Sequence, residues 1–189
     1  MDKDGLSLFH RFLARHLCPD LWVDRIVDVD LQALRKQGVS TLFFDLDNTL
    51  VGWRSKVVSD EVLAWIAAAK SSGFKLHIVS NSLHRRVSHF TALLGIPGTA
   101  SAVKPRKTVF LDALQTVGSG PGETAIIGDQ IFTDILGGKR SGLFTILVSP
   151  VDKRELPTTG IARIPERMIL GIFKSKGLLS EASSGRSRL

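Results

Sequence analysis

Short apolar runs alternate along the chain with segments whose apolar residues have helical spacing. The runs cover residues 41–44, 74–79, 124–127 and 143–148, and each has the length of a buried strand. Helical spacing predicts helices over residues 6–17, 30–36, 60–70, 83–94, 106–117 and 165–176, and one more that contains Asp134 and ends near Lys139. This alternation predicts an α/β fold with three layers, in which helices cover both faces of a doubly wound parallel sheet.

Polar residues follow the predicted strands at the points where they end. Because the carboxyl ends of parallel strands meet at one edge of the sheet, where ligands bind, these side chains should lie close together. A turn over residues 95–98 and a short extended segment over residues 101–103 would bring a lysine to the same edge. The predicted group consists of Asp45, Asp47, Ser80, Asn81, Lys104, Asp129 and Asp134.

Asp45 and Asp47 are the strongest single signal in the group. Side chains alternate along an extended backbone, so the two carboxylates point to the same side. Such a pair is tolerable beside a buried strand only with a cation or a shared proton between the two groups. A calcium loop of the EF-hand kind is excluded, since residues 49–51 are Thr, Leu and Val where further oxygen ligands and a glycine are required.

Each of the other positions also has an ordinary structural interpretation when it is taken alone. Asn81 or Ser82 could simply cap the helix that follows, and Lys104 could be a solvated lysine. His84 and His89 are expected at the surface, and Arg85 and Arg86 are expected in solvent unless one of them faces the site. Trp53 either contacts substrate with Arg54 or packs over the strand. The convergence of several strand ends on one edge favours a functional site.

The chemistry of this edge points to a hard cation. The only cysteine is Cys18, no histidine is placed at the edge, and carboxylate oxygens are the ligands that Mg²⁺ prefers. Magnesium beside a nucleophilic aspartate, a second acid and a lysine is suited to phosphoryl transfer.

Four segments in order resemble the motifs of the haloacid dehalogenase superfamily. They are Asp45-Leu46-Asp47-Asn48-Thr49, Ser80, Lys104-Pro105 and Gly128-Asp129-Gln130-Ile131-Phe132-Thr133-Asp134. The sequences of these motifs are similar to those of the subfamily IIIA phosphatases of the YqeG type, which resemble the mitochondrial phosphatidylglycerophosphatases. The resemblance covers roughly residues 17–177.

The resemblance implies a role for each site residue. Asp45 would be the nucleophile that forms an aspartyl-phosphate, and Asp47 would protonate the leaving alcohol and then activate water. Lys104 would hold Asp45 and the phosphate. Substrate would be bound by Ser80, with Asn81 and Thr49 nearby. Mg²⁺ would be held by Asp45, the backbone carbonyl of Asp47 and Asp129, and Asp134 would support these ligands.

Neither interval between the motifs has room for a cap domain, so the site should be open. The family associates an open site with large or surface-bound substrates. In addition, the formal net charge of +7 predicts a polyanionic partner. No apolar stretch approaches the roughly 20 residues of a membrane span, and the acidic amino terminus is unlike a signal peptide. We therefore expect a cytoplasmic protein, with peripheral contact at the inner face of a membrane as a further expectation.

The expected organisation has four parts. Residues 1–38 form an amphipathic helical extension, residues 39–150 the phosphatase core, and residues 151–178 a linker and a basic amphipathic helix, with a disordered tail over residues 179–189. The terminal helices either dock on the core or lie on a membrane surface.

The sequence thus predicts a Mg²⁺-dependent phosphomonoesterase, most plausibly one that acts on phosphatidylglycerophosphate. Two alternatives stay open: a phosphatase for a soluble sugar, nucleotide or protein phosphate, and a basic protein that binds RNA or the ribosome. Few aromatic residues lie among the basic ones, which disfavours a nucleic-acid platform.

Overall fold

A six-stranded parallel sheet forms the centre of the protein in the computed structural model, which describes residues 7–152 and 157–179. The strand order is β1-β6-β5-β2-β3-β4, and each pair of neighbours is parallel. The predicted α/β doubly wound sheet is therefore confirmed. The strands are β1 (Leu21–Val23), β2 (Thr41–Phe44), β3 (Lys75–Val79), β4 (Gly98–Thr99), β5 (Thr124–Gly128) and β6 (Phe144–Val148).

Helices cover both faces of this sheet. Alternation along β2 sends Leu42 and Phe44 into the core beneath α2, α3 and α4, while Phe43 packs with Phe110 of α5 on the opposite face. β2 lies in the middle of the sheet and all four of its residues are buried. The helices are α1 (Leu8–Leu17), α2 (Leu31–Lys36), α3 (Asp60–Ser71), α4 (His84–Leu94), α5 (Lys107–Val117), α6 (Leu136–Ser141) and α7 (Pro157–Ser175).

The close packing of α6 on the sheet depends on two glycines. A Cβ atom at Gly137 would lie 2.4 Å from Cε2 of Phe110, and one at Gly138 would lie 2.5 Å from Cγ2 of Ile126. No side chain fits at either distance. A π-helical turn over Ile131–Ile135 leads into α6, so the same packing fixes the loop that follows β5.

Both terminal helices dock on the core through part of their apolar surface. Leu13 and Leu17 of α1 and Phe173 of α7 belong to one buried cluster with Ile131 and Ile135. The outward side of α1 still carries Leu8 and Phe12, which are exposed. Docking on the core is thus observed for the inner faces of these helices.

Four local expectations differ from the structure. Strand β1 was not predicted because three residues are too few for a periodicity. β4 occupies the second half of the predicted turn, and residues 101–103 are not extended, since Ser101 and Val103 have φ values of 49° and 56°. α7 begins at Pro157 rather than at residue 165, so Pro165, the expected first residue, lies inside the helix.

The described chain between the strands leaves no place for a cap domain over the sheet edge. β2 and β3 are joined by residues 45–59 and α3, and β3 and β5 are joined by α4, β4 and α5. None of the helices in the described ranges has the length and apolarity that a bilayer crossing requires. The division into four parts stays a prediction, and residues 1–6, 153–156 and 180–189 lie outside the described residues.

Candidate active site

The carboxyl end of β2 places Asp45 between two neighbouring strands. Its backbone N–H donates to the carbonyl of Ile127 at 2.9 Å, so the ladder with β5 continues one residue past the strand. The residue is 6% exposed. A carboxylate so deeply buried needs compensating partners.

Lys104 supplies the compensating charge. Its Nζ atom lies 2.6 Å from Oδ1 of Asp45 and 2.6 Å from Oδ1 of Asp134, and all three side chains are buried. Burial raises the pKa of Asp45 to about 7, with Lys104 opposing this change and the charge of Asp134 adding to it. Burial acts to lower the pKa of Lys104, but the charges of Asp134 and Asp45 outweigh it and hold that pKa above its ordinary value.

Asp129 completes a group of three carboxylates at this edge. Oxygen atoms of Asp45, Asp129 and Asp134 all lie within 4.8 Å of one another, and the three residues are buried. The hydroxyl of Thr49 donates to Oδ1 of Asp129 at 3.4 Å. An all-oxygen donor set of this size fits Mg²⁺.

The carboxylate of Asp47 is held apart from these three. Its Oδ1 atom accepts from Nε of Arg86 at 2.7 Å and lies 2.6 Å from Nη2, while Oδ2 accepts from the hydroxyl of Ser82. Arg85 and Arg86 were expected in solvent unless one of them faced the site, and Arg86 is the one whose guanidinium contacts Asp47. Any metal contact of Asp47 through its backbone carbonyl stays a prediction.

Arg86 also fixes the segment that follows Asp47, residues 52–59, which we call the flap. Its Nη1 atom donates to the carbonyl of Ser55 at 2.9 Å and its Nη2 atom to that of Gly52 at 3.1 Å. Arg85, by contrast, is exposed as expected. On the flap, Trp53 is half-buried and stacks against the guanidinium of Arg54 at 4.7 Å.

Ser80 and Asn81 follow β3 as predicted but make different contacts. The hydroxyl oxygen of the buried Ser80 accepts from the N–H of Ser82 at 3.1 Å, so its own hydrogen can be donated to a substrate. The amide of Asn81 accepts from the N–H of Lys104 at 2.7 Å and donates to the same residue's carbonyl at 3.5 Å. Asn81 thus holds the backbone that carries the lysine; substrate contacts of Asn81 and of Thr49 stay predictions.

Asn48 and Val103, close to the site, both have a positive φ. Asn48 has a φ of 62°, which asparagine tolerates, and its Oδ1 atom is buried without a partner among the described residues. Val103 has a φ of 56°, which is unfavourable for a β-branched residue. The strain at Val103 lies next to Lys104, which is where strain is expected when it serves to aim a functional side chain.

Gly128 is required for the approach of Asp134. A Cβ atom at this position would lie 2.3 Å from Cγ and Oδ2 of Asp134. Gly128→Ala should therefore displace that carboxylate and lower the free energy of unfolding by about 1–3 kcal/mol, measured by urea denaturation. Gly122→Ala is the matched control, because a Cβ atom there meets nothing within 4 Å. Equal stability of the two variants would contradict the proposed steric role.

The structure brings together the predicted residues Asp45, Lys104, Asp129 and Asp134, with Ser80 and Asp47 at the same edge. The contributions of Arg86 and Ser82 were missed. The sequence did contain an indication of this pair, because Ser82 and Arg86 lie four residues apart around the start of α4. Side chains at that spacing are neighbours, so both can reach the carboxylate of Asp47. The sequence could not show that this side of the helix faces the site.

Comparisons with known proteins agree with this arrangement of motifs. A sequence model described as "Hydrolase: haloacid dehalogenase-like hydrolase" matches residues 11–142. The chain belongs to the haloacid dehalogenase-like hydrolase family. The predicted family resemblance is confirmed, and within this family the chain is a phosphoric monoester hydrolase.

Two curated relatives extend over most of the chain. "Probable phosphatase YqeG" of Bacillus subtilis (strain 168) is 38% identical over 165 residues, which are 87% of this chain and 96% of that protein. "Phosphatidylglycerophosphate phosphatase 1, chloroplastic/mitochondrial" of Arabidopsis thaliana is 27% identical over 165 residues, which are 82% of this chain and 47% of that protein.

Solved structures share the fold. NagD from Escherichia coli K-12 superimposes with a TM-score of 0.51 at 15% identity, over 63% of this chain and 93% of its own. The cobalt-bound deoxy-D-mannose-octulosonate 8-phosphate phosphatase YrbI from Haemophilus influenzae gives 0.50 at 15% identity, over 75% and 91% of the two chains.

Proposed function

We propose that the protein is a Mg²⁺-dependent phosphomonoesterase that works through an aspartyl-phosphate on Asp45, with phosphatidylglycerophosphate as its substrate. The observation that carries the proposal is the buried contact of Lys104 with both Asp45 and Asp134, at 2.6 Å each. A buried carboxylate that a lysine holds in place at an open strand end is prepared to attack a phosphoryl group.

The proposed reaction has two steps, and Asp45 and Asp47 share them. In the first step an Asp45 oxygen bonds to phosphorus, the ester P–O bond breaks, and Asp47 gives a proton to the departing alcohol. In the second step Asp47 takes a proton from water, the water oxygen bonds to phosphorus, and the bond to Asp45 breaks to release phosphate.

The surrounding residues hold the reacting groups in place. Lys104 fixes the Asp45 carboxylate and offsets charge on the phosphoryl oxygens, to which the Ser80 hydroxyl donates. Mg²⁺, held by Asp45 and Asp129 with Asp134 beside them, would supply further positive charge at the phosphoryl oxygens. The fit of this ion rests on the buried group of three carboxylates.

Three observations support a phospholipid substrate. The Arabidopsis relative is named as a phosphatidylglycerophosphate phosphatase, and it is 27% identical over 82% of this chain. The described chain carries no domain over the sheet edge, so a headgroup attached to a bilayer could reach Asp45. A formal net charge of +7 favours an anionic surface.

Arg86 should matter for turnover because it orients the general acid. Arg86→Lys cannot bond Asp47 and the two flap carbonyls together, since an ammonium group lacks the planar fork of a guanidinium. We expect kcat to fall by about 10- to 100-fold with a smaller change in KM. Arg85→Lys, one residue away and exposed, is the matched control and should behave as wild type. A wild-type kcat in Arg86→Lys would show that the observed contacts are dispensable.

The substrate assignment is tested by phosphate release from phosphatidylglycerophosphate in mixed micelles with magnesium, beside a panel of soluble phosphomonoesters. We expect rapid turnover of the lipid, which Asp45→Asn abolishes. Turnover of soluble esters alone would support the proposed phosphatase activity and contradict the assignment of a lipid as its substrate. No release from any ester, combined with salt-sensitive binding of RNA by Asp45→Asn, would instead favour a binding protein.

A further inference from the structure

Three loops beside the site each present an exposed apolar side chain. Val57 lies on the flap after β2 and is 74% exposed, Leu83 follows β3 and is 77% exposed, and Val103 follows β4 and is 52% exposed. Single exposed apolar residues are ordinary on a protein surface. Here, however, one occurs on each of three neighbouring strand ends, at the edge that holds Asp45.

Hydrogen bonds tie the three loops into one surface. Arg86, near the start of α4, donates to two flap carbonyls, and the ring of His89 bonds the carbonyl of Lys56 at 3.2 Å. The N–H of Ser101 donates to the carbonyl of Ser82 at 2.9 Å. The loops therefore cannot move apart freely, and we call this surface, made of residues 52–59, 82–86 and 101–107, the rim.

The charge of the rim is entirely positive. None of its three segments contains an acidic residue. An exposed basic residue lies within three positions of each exposed apolar one: Lys56 beside Val57, Arg85 beside Leu83, and Arg106 beside Val103. Trp53, which stacks on Arg54, adds an amphipathic ring of the kind that settles at the boundary between lipid and water.

We propose that the rim docks on a bilayer that contains anionic phospholipids. Apolar side chains that alternate with basic ones match a surface of anionic headgroups over hydrocarbon, because the basic groups meet phosphates while the apolar ones enter the interface. A protein partner would have to be acidic and apolar in the same alternation, and RNA would leave the apolar side chains unused. Docking of the rim on the bilayer is independent of the proposed function. Only the further step, in which a lipid bound at the rim reaches Asp45 as a substrate, rests on it.

This surface differs from the terminal helices that the sequence suggested. Leu13, Leu17 and Phe173 are buried against the core, so the inner faces of α1 and α7 are already occupied. Leu8 and Phe12 stay exposed on α1, and they define the competing docking surface.

The test is co-flotation of the full-length protein with vesicles, which needs no turnover and so separates this proposal from the enzymatic one. Vesicles of phosphatidylcholine mixed with phosphatidylglycerol are compared with vesicles of phosphatidylcholine alone. The rim variant is Val57→Ser with Leu83→Ser; serine suits the cap position that Leu83 occupies, so α4 should persist. The matched control is Leu93→Ser with Leu111→Ser, which removes exposed apolar residues from α5 and from the other end of α4.

We expect salt-sensitive binding to the anionic vesicles only, reduced at least about tenfold in the rim variant and unchanged in the control. Unfolding midpoints are measured for all variants to check that each is folded. The proposal would be overturned by no binding of the wild type to anionic vesicles, by equal loss in the rim and control variants, or by loss only in Leu8→Ser with Phe12→Ser. Rim-dependent binding of RNA in place of vesicles would overturn it in favour of a nucleic-acid surface.

Discussion

Asp45→Asn should lower kcat for any phosphomonoester by at least about 10⁴-fold, because the amide cannot form the bond to phosphorus. The measurement is steady-state phosphate release with magnesium. Asp112→Asn, an exposed change on α5, is the matched control and should keep wild-type activity. Hydrolysis by Asp45→Asn within tenfold of the wild type would mean that another residue, or water itself, attacks the phosphorus.

The same variant should not unfold the protein. Burial raises the pKa of Asp45 to about 7, which means that holding this group ionised in the folded state is unfavourable. A neutral side chain of the same shape removes that cost, and Lys104 keeps its contact with Asp134. We therefore expect Asp45→Asn to be at least as stable as the wild type in metal-free buffer at pH 8. Loss of activity can then be assigned to chemistry.

Lys104→Met should have the largest effect on stability. It leaves Asp45 and Asp134 buried, with their shared cation removed, and breaking a buried ion pair from one side costs about 3–5 kcal/mol. Urea denaturation in metal-free buffer measures this difference. Activity should also fall, since Asp45 loses the group that orients it.

Lys107→Met provides the comparison for that experiment. Lys107 lies three residues further along and is exposed, so its replacement should change the free energy of unfolding by less than about 0.5 kcal/mol. If Lys104→Met were equally mild, the carboxylates would have to be protonated or otherwise compensated in the folded protein. The observed geometry would then not describe the charge state of the site.

The fold could be predicted because its main elements carry strong local signals. β2 is the clearest case: four buried residues between polar ones give an unambiguous strand, and the observed bounds are those expected. The elements that were missed are held by the sheet rather than by their own pattern. β1 and β4 have three and two residues, and each lies at an edge of the sheet, where it pairs with one neighbour among the described strands.

The candidate site was predictable to the extent that strand ends determine it. Asp45 and Asp129 follow neighbouring strands, so parallel pairing alone brings them together. Lys104 was expected at this edge through an extended segment over residues 101–103, but its position depends instead on the left-handed backbone at Val103 and the bond to Asn81. Arg86 could not be chosen over Arg85 because sequence spacing does not tell which side of α4 faces the loop after β2.

The claim that Asp45 becomes phosphorylated is tested most directly by stopped-flow release of p-nitrophenol from p-nitrophenyl phosphate by Asp47→Asn with magnesium. p-Nitrophenolate departs without a proton, so the first step should persist while the second, which needs Asp47 as a base, is slow. The account predicts a burst of about one p-nitrophenolate per protein chain, followed by slow turnover. The double variant that carries both Asp45→Asn and Asp47→Asn should show no burst. Linear release from the first turnover, at the same rate with and without Asp45, would contradict it.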